Sequence, residues 1–269
     1  MQLLTILFAT LAAGIGSVWL AAGLMSLGVL GQGRAPRANA QHLLSLAAGA
    51  LLSTAFMHLL PEAFEKSEGQ AQALFGTLLV SVVFFFLLDK AELWHHGHEH
   101  HHEGEGHDQA HHHHHHEPAR SGGWAVLAGD SVHCFGDGVL IASAFAADPR
   151  LGFVAALAVL AHEVPHHVGD LAVVRETSGS RRSAIGKVSL AGAVTPLGGL
   201  VGWWLVERLN ELLPYLLVVA SSSFIYVALA DLIPQLQKRL GARETLAQVL
   251  WLAAGILLVA VASWLTHAH

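Results

Sequence analysis

The chain has 269 residues, 53% of them hydrophobic and only 13% charged, with a mean hydropathy of +0.50 and a formal net charge of −6. That balance excludes one soluble domain of this length and fits a bundle of membrane helices, with the lipid bilayer as a partner and nucleic acid not expected as one. The single cysteine, Cys134, excludes an intramolecular disulfide.

Apolar runs with polar breaks predict eight spans, at about 3–30, 40–61, 70–93, 123–147, 151–174, 185–206, 212–234 and 246–266. Most are close to the ~20 residues that cross a hydrocarbon core. No Lys or Arg precedes Arg34, so the first run lacks the basic leader of a signal peptide and reads as a retained helix. The second run ends in His58-Leu59-Leu60-Pro61-Glu62 and the seventh in Asp231-Leu232-Ile233-Pro234-Gln235. Those two runs would cross in opposite directions, as in an inverted-repeat transporter. Gly and Ala crowd several runs, as in Ala12-Ala13-Gly14, Ala47-Ala48-Gly49 and Gly198-Gly199, where small residues let membrane helices approach closely.

Between the third and fourth runs, residues 95–116 hold thirteen of the 21 histidines, mixed with Glu99, Glu103, Glu105 and Asp108. The segment is polar and aperiodic, which predicts disorder and weak, exchangeable metal binding. The chain thus divides into helices one to three over 1–94, a cytoplasmic His-rich loop over 95–122, and helices four to eight over 123–269.

The fourth run carries His133-Cys134-Phe135-Gly136-Asp137 and the fifth His162-Glu163-Val164-Pro165-His166-His167-Val168-Gly169-Asp170. Each ionisable side chain at that depth costs roughly 2.5–3.5 kcal/mol on insertion scales. Buried polar groups bonded only to one another would leave that cost without a reason, whereas a metal ion crossing the membrane supplies one. On helices, His133 shares a face with Asp137, His162 with His166, and Glu163 with His167, while Asp170 lies one turn beyond His166. His133, Asp137, His162, Glu163 and His166 can then meet one ion, and Cys134 and His167 beside them can hold a second. Nitrogen and carboxylate ligands in this mixture suit Zn²⁺ and its divalent first-row neighbours. Pro165 leaves the carbonyl of Ala161 without its helical partner and predicts a kink among the ligands.

His162-Glu163-x-x-His166 also satisfies the zinc-protease pattern H-E-x-x-H, so an intramembrane metalloprotease is the alternative. A proline between the histidines disturbs the regular geometry such a site needs, and two motifs oversupply its three ligands.

Lysine and arginine fix an orientation. Arg34, Arg37, Lys90, Arg120, Arg175, Arg181, Arg182, Lys187, Lys238, Arg239 and Arg243 fall on one side, and Lys66, Arg150 and Arg208 on the other. Basic loops stay inside, which places both termini outside the cytoplasm.

These residues resemble the ZIP (ZRT/IRT-like) family of divalent-metal transporters, which carries H-N-x-x-D in its fourth helix and H-E-x-P-H-E in its fifth. The likeness extends to eight spans, the His-rich loop, His58 through Glu62 and Ser222 through Pro234, and it follows the branch whose fifth helix reads H-E-V-P-H-E-x-G-D. Cys134 stands where the family has Asn, and His167 where it has Glu. Both fall in the second position of the two-metal centre that the resemblance implies, and a thiol and an imidazole there favour softer ions over Mn²⁺ or Mg²⁺. The resemblance also implies a homodimer and an elevator-like motion of helices one, four, five and six against the rest.

The expectation is an all-α integral membrane protein of eight transmembrane helices with an inverted repeat. It is not an enzyme but a transporter that moves divalent metal toward the cytoplasm through a His/Asp/Glu site at the midplane, between helices four and five. Zn²⁺, and after it Cd²⁺, Co²⁺ and Fe²⁺, are cargo rather than cofactors. Composition and the uncleaved first helix point to a bacterial inner (plasma) membrane.

Overall fold

The structure, a computed structural model, describes residues 2–30, 34–67, 69–97, 122–236 and 241–267. Residues 98–121, which hold most of the predicted His-rich loop, lie outside the described residues.

Eight helical stretches follow one another among the described residues, and no strand occurs there. The first, α1, runs Gln2–Leu11, widens into a π-helical turn at Ala12–Gly16 and continues through Ser17–Ser26. α2 runs Arg34–Thr54, widens at Ala55–Leu59 and closes in Leu60–Glu65. α3 covers Ala71–Gly97, α4 Gly122–Ala147 and α5 Pro149–Ser178. α6 has two parts, Arg181–Gly192 and Val194–Arg208. α7 begins with a 3₁₀ turn at Asn210–Leu212, runs Leu213–Tyr226, widens at Val227–Leu232 and ends in Ile233–Leu236. α8 is Ala242–His267.

Seven of these stretches are long and apolar enough to cross a membrane. α4 carries Asp130, His133 and Asp137 in an otherwise apolar 26-residue helix.

The turns that join α4, α5 and α6 are written locally. Asp148 caps α5 by accepting from the Arg150 amide at 2.7 Å, with Pro149 in the first turn, where its missing N–H is no loss. Gly179 closes α5 in the left-handed conformation at φ 68°, and Ser180 caps α6 by accepting from the Ser183 amide at 3.2 Å. With so short a turn between them, α4 and α5 run antiparallel. Their two motifs therefore meet at one level.

Small residues set which helices touch backbone to backbone. A Cβ on Gly138 would strike the Thr195 carbonyl, one on Gly198 the Phe135 carbonyl, and one on Gly14 the Gly192 carbonyl, which brings α1, α4 and α6 together. Separately, a Cβ on Gly49 would strike the Leu252 carbonyl and one on Gly255 the Leu46 carbonyl, which joins α2 to α8. The main core lies between these groups, around Leu51, Leu59, Leu74, Ile141, Phe145, Leu217 and Phe224. α2 and α5 are the most enclosed spans. α3 and α8 are the least, and turn Leu79, Val80, Phe84, Leu250, Leu257 and Trp264 outward.

Candidate metal centre

α5 carries the ligand motif through a continuous helix that contains Pro165. Its neighbour α4 presents the second motif from the opposite direction. Four side chains converge where the two meet: His133, Asp137, His162 and Glu163. The Nε2 atoms of His133 and His162 are 3.3 Å apart. Glu163 Oε1 lies 3.3 Å from the first and 3.2 Å from the second, and Asp137 Oδ2 lies 3.8 and 3.2 Å from them. A tetrahedral zinc site with bonds of ~2.0–2.1 Å has ligand–ligand edges of roughly 3.3 Å. The group therefore already has the dimensions of such a coordination shell.

The hydrogen bonds around the group support the same conclusion. His162 Nδ1–H donates to the Ala158 carbonyl at 3.2 Å, since a carbonyl can only accept. This fixes the tautomer and leaves Nε2 as a bare lone pair aimed at the cluster. Asp137 Oδ2 and Glu163 Oε1 are buried and make no hydrogen bond. Buried oxygens without partners are rare in folded proteins, and two that converge have the chemistry to hold a cation. Two carboxylates also balance the charge of one divalent ion.

Glu163 is shared. Its Oε2 faces a second set, Asp130, Cys134 and His167. His167 Nε2 is 3.1 Å from Glu163 Oε2 and 3.7 Å from Asp130 Oδ1, while Cys134 Sγ is 3.6 Å from Asp130 Oδ1 and 3.7 Å from Glu163 Oε2. Ser17, just past the π-helical turn of α1, donates to the Gly14 carbonyl at 2.5 Å and lies 3.0 Å from His167 Nδ1. With the hydroxyl proton committed to Gly14, His167 Nδ1–H is the donor, and Nε2 is again left bare towards the acids.

The sequence reading assigned His133, Asp137, His162, Glu163 and His166 to one ion. The first four lie together. His166 stacks on His133 with ring centroids 5.5 Å apart, but its Nδ1 points to Asp170 Oδ2 at 3.1 Å and Asp130 Oδ1 at 3.8 Å. Cys134 and His167, expected to sit beside the main position, do share one group.

Two residues escaped the sequence reading. Asp130 precedes the α4 motif by one turn and shares the face of both His133 and Cys134, a spacing that was there to be used. Ser17 left no such signal, because only tertiary packing brings α1 to His167.

A cavity of about 190 Å³ reaches His133, His162, His166 and Asp130, and leads to Asp89, Tyr226 and Asp231 on α3 and α7. Tyr226 donates to Asp89 Oδ2 at 3.0 Å across its wall. At the other end of the bundle, a second cavity of about 220 Å³ is lined by His58, Glu62, Glu65, Asp148 and Arg150.

Comparison with known proteins agrees with this chemistry. Residues 2–116 and 90–263 match the family model described as ZIP Zinc transporter. The chain is 28% identical over 256 residues to Zinc transporter ZIP13 of Pongo abelii, covering 89% of this chain and 71% of that protein. It is 34% identical over 136 residues to Zinc transporter foi of Drosophila melanogaster, and 37% identical over 115 residues to human Zinc transporter ZIP4. Of those two longer proteins the match spans only 19% and 18%, and of this chain 49% and 43%. A family match that runs through both ligand motifs, over helices that bring those motifs to one ion-sized cluster, places the chain in the ZIP zinc transporter family.

Proposed function

We propose that the protein carries divalent metal ions, zinc first, across the membrane into the cytoplasm, with His133, Asp137, His162 and Glu163 as the position where the ion sheds its water. The observation that carries this reading is the spacing of their ligand atoms, 3.2 to 3.8 Å, together with the unpartnered carboxylate oxygens among them. Two imidazole nitrogens and two carboxylate oxygens replace the hydration shell and neutralise the ion, so that it can exist at membrane depth. Cys134 and His167, with Glu163 and Asp130, form the second position and bias it toward soft ions such as Cd²⁺. His166 and Asp170 complete the ligand set on α5.

The resemblance to the family implies movement toward the cytoplasm, and the charge of the loops supports an orientation. Lys90, Arg175, Arg181 and Arg182 lie at the end toward which the first cavity opens, and this basic end is the cytoplasmic one. α4 is the eighth span, since it lies between α5 and α6 with its charges turned to the ligand cluster. The paired π-helical turns in α2 and α7, each ending at a Leu-x-Pro step, support an inverted repeat. The glycine contacts that bind α1, α4 and α6 support their motion as one body, with α5 and its ligands.

The protease pattern requires His162 and His166 on one ion with Glu163 free to act as base. Here the two histidines face different groups and Glu163 is itself among the ligands. The chain is a transporter rather than an enzyme. Purified protein in liposomes loaded with a zinc-sensitive dye provides the test, with peptide cleavage assayed in parallel. Saturable zinc uptake without cleavage is expected; cleavage without uptake would overturn the reading.

A further inference from the structure

Asp130 on α4 and His166 and Asp170 on α5 form a cluster of their own. Each offers one ligand atom, and the three atoms lie within 4.8 Å of one another. The cluster is displaced from the four-ligand group along both helices in the same direction. On α5, Asp170 lies two turns beyond His162, or about 12 Å at 1.5 Å per residue. On α4, Asp130 lies two turns before Asp137. Because the helices are antiparallel, both offsets point to the basic end of the bundle.

The contacts within the cluster are those of ligands awaiting an ion rather than of a finished polar network. His166 Nδ1 is 3.1 Å from Asp170 Oδ2, a close pairing of two buried ligand atoms. Asp130 Oδ2 is unpartnered. The two carboxylate side chains are only 1% and 10% exposed, so water outside the protein does not satisfy them. Two buried carboxylates that converge on one imidazole, with an oxygen of Asp130 left unpartnered, suit a cation between them.

The cavity gives the cluster its place in sequence. Its wall passes from His162 and His133 to His166 and Asp130, then to Asp89 and Asp231. An ion that leaves the four-ligand group toward the basic end meets this cluster next.

We propose that Asp130, His166 and Asp170 form a separate divalent-cation position that receives the metal from the four-ligand group and passes it to the cytoplasmic cavity. This rests on the transport reading. One imidazole and two carboxylates supply fewer nitrogen ligands than the main position. The remaining coordination comes from cavity water, so the ion is held more weakly and exchanges faster.

The test uses the full chain purified in detergent, with equilibrium binding of radioactive zinc, and the same variants in proteoliposomes. Asp170→Asn keeps the shape and removes the charge; Asp170→Glu restores a carboxylate. Wild type is expected to bind a tight equivalent at the four-ligand group, one at the Cys134–His167 position and a further weak one here. Asp170→Asn should lose the weak equivalent alone, and Asp170→Glu should recover it. His162→Ala should lose the tight equivalent and keep the weak one. In proteoliposomes, Asp170→Asn should lower the maximal uptake rate several-fold at an unchanged half-saturating zinc concentration, because loading is intact and release is slowed. His166→Gln removes the nitrogen ligand alone and gives a second route to the same loss should Asp170→Asn fail to fold. Unchanged stoichiometry in Asp170→Asn, or equal behaviour of the Asn and Glu variants, would overturn the separate position. Wild-type protein that moves no zinc would instead remove the transport reading, while the stoichiometry would still decide whether this position exists.

Discussion

His162 works from both ring nitrogens. Nδ1 is spent on the Ala158 carbonyl, and Nε2 stands within 3.3 Å of His133, Asp137 and Glu163 ligand atoms. His162→Ala removes the nitrogen and leaves two buried carboxylates facing each other. Zinc uptake by that variant should drop to near background at matched expression and insertion; retention of half the wild-type rate would contradict the assignment. Cys134→Ser tests the second position. The thiol lies 3.7 Å from Glu163 Oε2, and its loss should leave zinc uptake substantial while lowering the preference for Cd²⁺ over Mn²⁺. An unchanged ratio of the two metals would show that the thiol is a bystander. Acidity acts on the same atoms. Histidine must be neutral to bind metal, and its unperturbed pKa is about 6.5. Falling pH adds protons that compete with the ion, so zinc affinity measured by calorimetry should weaken between about pH 7 and pH 5. A flat profile would mean that carboxylates alone hold the metal. Most of these clustered side chains were legible in the sequence, since helical spacing alone puts His133 with Asp137 and Glu163 with His167. The split of His166 away from His162 was not, because a shared helix face says nothing of which neighbour each ring turns toward.

Among the elements, the sequence foresaw each helix to within a few residues at most ends, since long apolar runs leave the backbone little choice in lipid. α3 ran past its expected end at 93 to Gly97, and α2 began earlier than 40, at Arg34, where Arg34, Ala35 and Pro36 suit the first turn of a helix. The π-helical turns in α1, α2 and α7 were invisible, since one extra residue per turn leaves no compositional mark. The break in α6 at Ala193 did have a signal, Pro196, whose missing N–H leaves the Gly192 carbonyl without its helical partner. The glycine contacts could be guessed as a class but not as pairs. Gly138 now has a named partner, the Thr195 carbonyl. Gly138→Ala should push α4 off α6 and destabilise the protein by about 1–3 kcal/mol, seen as a lower melting temperature in detergent. Gly136, with open space around it, is the control, and its Ala variant should melt like wild type. Equal melting of the two variants would refute the contact.

For the molecule as a whole, the proposed metal ligands all lie on α4 and α5. Deleting residues 95–117 should therefore leave zinc uptake measurable, with changes confined to apparent affinity or release. A deletion protein that inserts well and moves no zinc would show that the segment is required. The bundle divides into glycine-joined groups, α1 with α4 and α6, and α2 with α8, which meet through larger side chains such as Leu51, Ile141, Phe145 and Phe224. Cys134 lies inside the first group, beside Asp130, Glu163 and His167, and is the only thiol in the chain, fully buried in this arrangement. Nature has thus supplied a single-cysteine reporter, with no background sulfhydryls to remove. A maleimide added to resting protein should label it slowly. The rate should rise when the metal centre opens to water and fall again when bound zinc masks the sulfur, so the alkylation clock of the unmodified protein can follow its own transport cycle.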